Sequence, residues 1–201
     1  MIHASRFRFP ACVAVLTLLL AACAGQTVPL DQSGAISSAP ASSLYTLTAA
    51  SAGPITSATA YGSGTIKGLF PGRRTQAVQI ADDERTVYAL AVFEDGLQTI
   101  AVEPNKTNSA IVAVHGLGPG VAGPNGERIG MTFSEVGMNS SRCRAGKQLW
   151  AGMPICTANG AQNVTLVFDP GPGNAGKPGE LPPRNVIGKS KLTRIVWTPV
   201  R

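Results

Sequence analysis

The chain has 201 residues and a formal charge of +6, with 44% hydrophobic and 14% charged residues, 23 Gly and 15 Pro. Charge this sparse, against roughly 25% in an ordinary domain, fits a loop-rich exported protein with much strand, and the length bounds it to one domain or two small repeats. Lys and Arg are scattered through expected loops and strands without aromatic interleaving, which speaks against nucleic acid as a partner.

The first 22 residues have the three parts of a secretory signal peptide. His3, Arg6 and Arg8 make a basic start, Ala11 to Leu20 an apolar run, and Ala21 and Ala22 the small residues of a cleavage site. That run is too short for a transmembrane helix, which needs about 20 apolar residues. Leu20-Ala21-Ala22-Cys23 resembles the lipobox of bacterial lipoproteins, in which the cysteine is acylated after the signal is cut off before it. Two or more acyl chains anchor stably where one holds marginally. Cys23 is thus the expected lipidation site; a plain signal cut at Ala22 is the alternative. Ala24 follows, where lipoproteins kept in an inner membrane tend to carry Asp, so the resemblance favours the periplasm-facing leaflet of the outer membrane.

Residues 23–51 are mostly Ala, Ser, Thr, Gly and Pro with one charge, Asp31. Such a segment buries too little apolar surface to offset its ordering entropy and reads as a disordered tether, within which Leu44-Tyr45-Thr46-Leu47 is a weak candidate for a short strand. The folded region is expected over 52–201. Thr56 or Ser57 can cap a helix running to Leu69, ahead of Pro71-Gly72. Gln76 to Ala81 and Thr86 to Glu94 are β-rich, and the second, apolar on both faces, should be an interior strand. Asp95-Gly96 is a hairpin signal leading into Leu97 to Val102, and Ser109 to His115 supplies another strand. After a Gly/Pro divider from Gly116 to Gly126, Thr132 and Glu135 match a capping box for a second helix. Val164 to Phe168 and Leu192 to Trp197 read as strands on either side of a Pro/Gly loop, Pro170 to Pro183. The fold class is therefore α+β: two similar helix-plus-antiparallel-sheet repeats, about 53–116 and 127–201, packed together behind a tether. At the level of fold alone, such modules resemble the β-lactamase-inhibitor architecture.

Chemistry-bearing motifs are few. Cys12 leaves with the signal, so Cys143 and Cys156 remain as an even pair, expected to form a disulfide in an oxidising compartment. Gly118 to Gly123 matches G-x-G-x-x-G, but Pro124-Asn125-Gly126 follows where a helix is required, so no nucleotide cofactor is expected. His115 is the one histidine left after processing, and no Gly-x-Ser-x-Gly turn presents a nucleophile beside it. Asp82-Asp83-Glu84 is the acidic cluster that glycoside chemistry would need, though turn charges are its ordinary explanation. Trp150, inside the cysteine loop beside Gly152, is a possible partner contact; core packing is its other reading. No catalytic residue, metal or cofactor is expected.

The run Gly126-Glu127-Arg128-Ile129-Gly130-Met131-Thr132-Phe133-Ser134-Glu135, with Cys143, Cys156, Leu181-Pro182 and Leu192 to Trp197, resembles the RpoE-regulated lipoprotein family. Gly53-Pro54-Ile55-Thr56 and Phe93-Glu94-Asp95-Gly96 fall in the same order, so the resemblance spans about 51–197. The Gly-rich divider and the loop from Pro170 to Pro183 depart from the family's pattern. The resemblance implies a periplasm-facing outer-membrane lipoprotein linked to envelope stress, in a family without an established activity. The expected partners are the membrane, through the lipid anchor, and an envelope protein or an anionic cell-wall or lipid component. A cell-wall hydrolase or carbohydrate-binding module is the rival reading. A pocket gathering His115 with carboxylates would favour the rival, and a flat apolar or aromatic patch would favour protein binding.

Overall fold

The computed structural model describes residues 45–200. The expected signal peptide, Cys23 and residues 24–44 of the expected tether lie outside the described residues. In chain order come β1 (Tyr45–Thr46), β2 (Ser51–Ala52), β3 (Ile55–Thr56), α1 (Ser63–Leu69), β4 (Arg74–Ala81), β5 (Thr86–Glu94), β6 (Leu97–Pro104), β7 (Ile111–Gly116) and β8 (Val121–Ala122). The second half holds β9 (Cys143–Ala145), β10 (Pro154–Ala158), β11 (Ala161–Asp169), α2 (Arg184–Ile187) and β12 (Lys191–Trp197). The chain is mostly antiparallel sheet with little helix.

Eight strands form one sheet in the order β4-β5-β6-β7-β12-β11-β10-β9. The first four make one meander, the last four another running back, and the two meet where β7 pairs with β12. Local chemistry sets the turns. Asp95 and Gly96 both take positive φ, 48° and 81°, as the tight turn between β5 and β6 requires. β5 is an interior strand, as its apolar pattern predicts, although Tyr88 is exposed.

Pairing registers assign the faces. Val92, Ile100, Ile195, Leu166 and Cys156 stand in one row across the sheet through β5, β6, β12, β11 and β10. They belong to the main core, which Ile66 and Phe70 of the α1 region, Phe133 and Ile187 of α2 cover. Phe133 packs edge-on against Phe168, ring centroids 5.1 Å apart. Each fully buried residue of this kind contributes about 1.5–3 kcal/mol relative to exposure.

Three expectations are corrected. Residues 45–51, assigned to the tether, belong to the folded body. Leu47 is 0% exposed, its N–H bonds to the Ala122 carbonyl at 2.8 Å, and β1 pairs in parallel with β8. The partner strand lies 76 positions away (Tyr45 to Val121), so the segment could suggest a short strand but not what it pairs with. The first helix starts at Ser63 rather than near Thr56, because 55–56 pair as β3 and the Thr59 hydroxyl accepts the Thr56 N–H at 3.0 Å, closing a turn. The second helix is a single turn. Its capping box forms, with the Thr132 N–H and hydroxyl donating to Glu135 at 2.7 and 2.8 Å and the Glu135 N–H donating back at 3.2 Å. Gly137, at φ 68°, then closes it at once: Gly137 N–H bonds the Ser134 carbonyl and Met138 N–H the Phe133 carbonyl. These are the bonds of a Schellman stop, so N-cap and C-cap follow with one turn between them.

Candidate functional site

Among the described residues, the second face of the sheet carries two small apolar clusters, one around Ala89 and Ala101 and one around Trp150, Ile155 and Val167. Between them a polar line crosses three strands. Glu103 on β6 stands opposite Ala113 and His115 on β7 opposite Val196, so Glu103, His115 and Arg194 are diagonal neighbours on one face. His115 Nε2 lies 3.2 Å from Glu103 Oε2, and an Arg194 guanidinium nitrogen lies 3.1 Å from His115 Nδ1. His115 and Glu103 are 1% and 6% exposed.

Arginine can only donate, so Nδ1 is an acceptor and the imidazole is the neutral form carrying its proton on Nε2, which donates to Glu103. Burial pushes the His115 pKa down, the Glu103 hydrogen bond opposes this, and the Arg194 charge lowers it further. Burial also lowers Arg194, to about 10, against the pull of Asp82. Arg194 therefore stays charged at neutral pH, with its guanidinium 5.2 Å over the Trp150 ring.

The hairpin loop between β4 and β5 leans across this face. Asp82 Oδ1 accepts the Glu84 and Arg85 N–H groups at 2.7 and 2.6 Å, which shapes the loop. Asp83 pairs with Arg144 of β9 at 2.6 Å and accepts the Lys147 N–H, and Lys147 Nζ lies 3.5 Å from Glu84. A loop beside one edge strand is thus clasped to the opposite edge of the sheet. Beneath it lies an open cleft of about 330 Å³ lined by Asp82, Glu103, His115, Arg144, Trp150 and Thr165 among others.

His115 and the acidic cluster, distant in sequence, come together here. The acidic cluster is more than solvated turn charge, since Asp83 and Glu84 hold the clasp. Trp150, named as a possible partner contact, is 8% exposed and packs on Ile155 and Val167, so it walls the cleft and is not a free anchor. Cys143 and Cys156 are disulfide-bonded across the β9–β10 pair, and Cys156 reaches the main core. The Gly118–Gly123 segment is a loop and β8, with Leu117 and Gly118 N–H both on the Thr99 carbonyl, and a turn follows it. Glu103 and Arg194 escaped sequence reasoning. Their signal was there: Glu103 is the single charge of β6, and Arg194 is the charge inside β12, whose exposed first residue Lys191 is the other; charged side chains occupy such interior positions when paired.

In chemical terms the line is a fixed hydrogen-bonded row, with a neutral imidazole between Glu103 and the Arg194 guanidinium, rather than a set of free reacting groups. Both imidazole nitrogens are engaged, and the clasp carboxylates are paired with cations.

No protein-family model and no curated protein matches the chain by sequence. The fold is that of a solved structure, the uncharacterized protein yfeY from Escherichia coli: TM-score 0.60 at 17% identity, covering 76% of this chain and 99% of that one. This protein typifies the family that the sequence motifs resemble, so the resemblance holds as a shared fold.

Proposed function

From the premise of the yfeY fold, we propose that the mature protein is a non-enzymatic lipoprotein, anchored through Cys23 to the outer membrane and facing the periplasm. In this reading it serves as a binding or assembly accessory of the envelope, linked to envelope stress, and the cleft under the Asp83–Arg144 clasp receives the partner. We also read the body as a duplication, supported by the mirrored order of the two meanders about the β7–β12 pair; the single turn at Thr132 would be the reduced counterpart of α1.

One observation carries the non-enzymatic reading. His115 is buried, accepts a hydrogen bond from Arg194 at Nδ1 and donates one to Glu103 from Nε2, so neither nitrogen is available as a general base. A second reading, hydrolysis or binding of cell-wall glycan, is favoured by the cleft itself, which gathers His115 with Asp82, Asp83, Glu84 and Glu103. Two measurements separate them. Purified wild type should release no soluble fragments from isolated cell-wall sacculi. In a strain lacking the gene, an envelope-stress phenotype should be rescued by His115→Gln and not by Thr165→Trp, which fills the cleft. Release of fragments that His115→Gln abolishes would replace the binding reading with the hydrolase. The anchor is tested by fatty-acid labelling, where equal label in wild type and Cys23→Ser would overturn it.

A further inference from the structure

The two edges of the sheet are protected unequally. β9 is three residues long, is tied to β10 by the disulfide, and leads directly into Gly146, which is bridged to Ala151. β4 runs eight residues in unbroken register against β5, from Arg74 opposite Phe93 to Ala81 opposite Thr86, with neither a bulge nor a proline. Among the described residues nothing pairs with its outer side. A long regular edge presents alternate N–H and C=O groups as a template for another strand, and chains that stay single blunt such edges with prolines, bulges or charges. Thr75 to Ala81 carries no charge at all.

The charges stand at the two ends and have opposite sign. Arg73 and Arg74 precede the neutral stretch; Asp82, Asp83 and Glu84 follow it. Antiparallel pairing of such a segment with itself brings the basic end of each copy to the acidic end of the other. We propose that β4 pairs with β4 of a second copy, extending the sheet across a two-fold axis, in a register centred on Val78. The axis must stand normal to the sheet for the strands to be antiparallel, so each residue keeps its face and opposite residues have the same parity. Pairing therefore centres on a residue, never between two. Centred on Val78, Arg74 lies opposite Asp82 of the second copy, twice by symmetry, with Gln76 opposite Ile80. Centred on Ala77, Arg74 would face Ile80 and both charge pairs would be lost.

Arg74 can turn to such a partner: it is exposed, lies 3.8 Å over the Phe93 ring and, among the described residues, hydrogen-bonds Gln76 alone. Asp82 spends Oδ1 on its own turn and holds Oδ2 only loosely, 3.9 Å from Arg85. Exposed ion pairs of this kind add little affinity; they select register and partner while the backbone ladder supplies the binding.

The test uses the full chain in intact cells. With Val78→Cys, oxidation should give a reducible species of twice the mass containing a 78–78 linked peptide, because directly opposite residues have Cα atoms about 4.5–5.5 Å apart. Ala77→Cys, offset by two positions from its copy, should give no such link. Arg74→Glu added to Val78→Cys should abolish the link, as should Asp82→Lys. Co-expressing the two charge variants should restore a mixed dimer, since each then carries the charge the other lacks. Absence of a link at 78, a link at 77 instead, or a link that survives Arg74→Glu would each overturn the proposal. If Asp82→Lys fails to accumulate, the Cys pair with Arg74→Glu decides alone. Pairing of β4 with residues 1–44 of its own chain would appear as no dimer at 78, and so also overturns it.

Discussion

Acidification should destabilise this protein through His115, and His115→Gln should remove that sensitivity. Burial and the Arg194 guanidinium hold the folded imidazole neutral, so its pKa lies below that of the unfolded chain. Over the window below the unfolded value of about 6.5 the unfolded state binds a proton that the folded state refuses, so stability falls as pH falls. The slope is at most about 1.4 kcal/mol per pH unit, which bounds the loss between about pH 7 and pH 5.5 at roughly 1.3 kcal/mol. Once pH passes below the folded pKa the loss stops growing. Glutamine is the informative replacement, because its amide can accept from Arg194 and donate to Glu103 without titrating. Urea unfolding of wild type and His115→Gln across that range measures it, and subtracting one pH profile from the other cancels the carboxylates common to both. Parallel profiles, or a wild type that gains stability on acidification, would refute the reasoning. The second outcome would mean that the Glu103 carboxylate outweighs burial and Arg194 and that the ring is an imidazolium.

Leu47→Ala should cost about 2–5 kcal/mol, the range for emptying a fully buried leucine site, and chemical denaturation measures it. A change within about 0.5 kcal/mol, the usual limit for surface positions, would return residues 45–51 to the tether. Replacing Cys143 and Cys156 together by alanine should cost about 3 kcal/mol in the chain-entropy account, given a sequence separation of 13. In a domain of this size that lowers Tm by roughly 6–12 °C. An unchanged Tm would mean that the pairing of β9 with β10 holds without the bond.

Much of the fold was legible because its causes are local. A run apolar on both faces predicted β5 and alternation predicted β12, the Asp95-Gly96 pair fixed a hairpin through two positive φ values, and the even pair of thiols left after the expected processing predicted their own bond. The Thr132–Glu135 box was legible too, yet the helix it promised was not, because the outcome depended on Gly137 stopping the chain five residues later. The charge pattern around β4, basic before and acidic after, can also be read from the sequence, although only the strand order shows that it borders an edge.

The site depended on contacts that no local pattern encodes. Glu103, His115 and Arg194 become neighbours only when β7 meets β12, a pairing of strands 79 positions apart from His115 to Arg194, and only in the register that sets them on one face. A one-residue slip would turn all of one strand's side chains to the other face. Trp150 illustrates the same limit: sequence allowed an exposed anchor or a core residue, and the choice fell to Ile155 and Val167 on strands that carry no sign of it. What the sequence determined alone were the turns, the strand periods and the thiol pair, each a matter of neighbouring residues. Which face is covered, which edge is open and what His115 touches were decided by tertiary structure, because strand order and register are settled by the whole sheet burying one face at once.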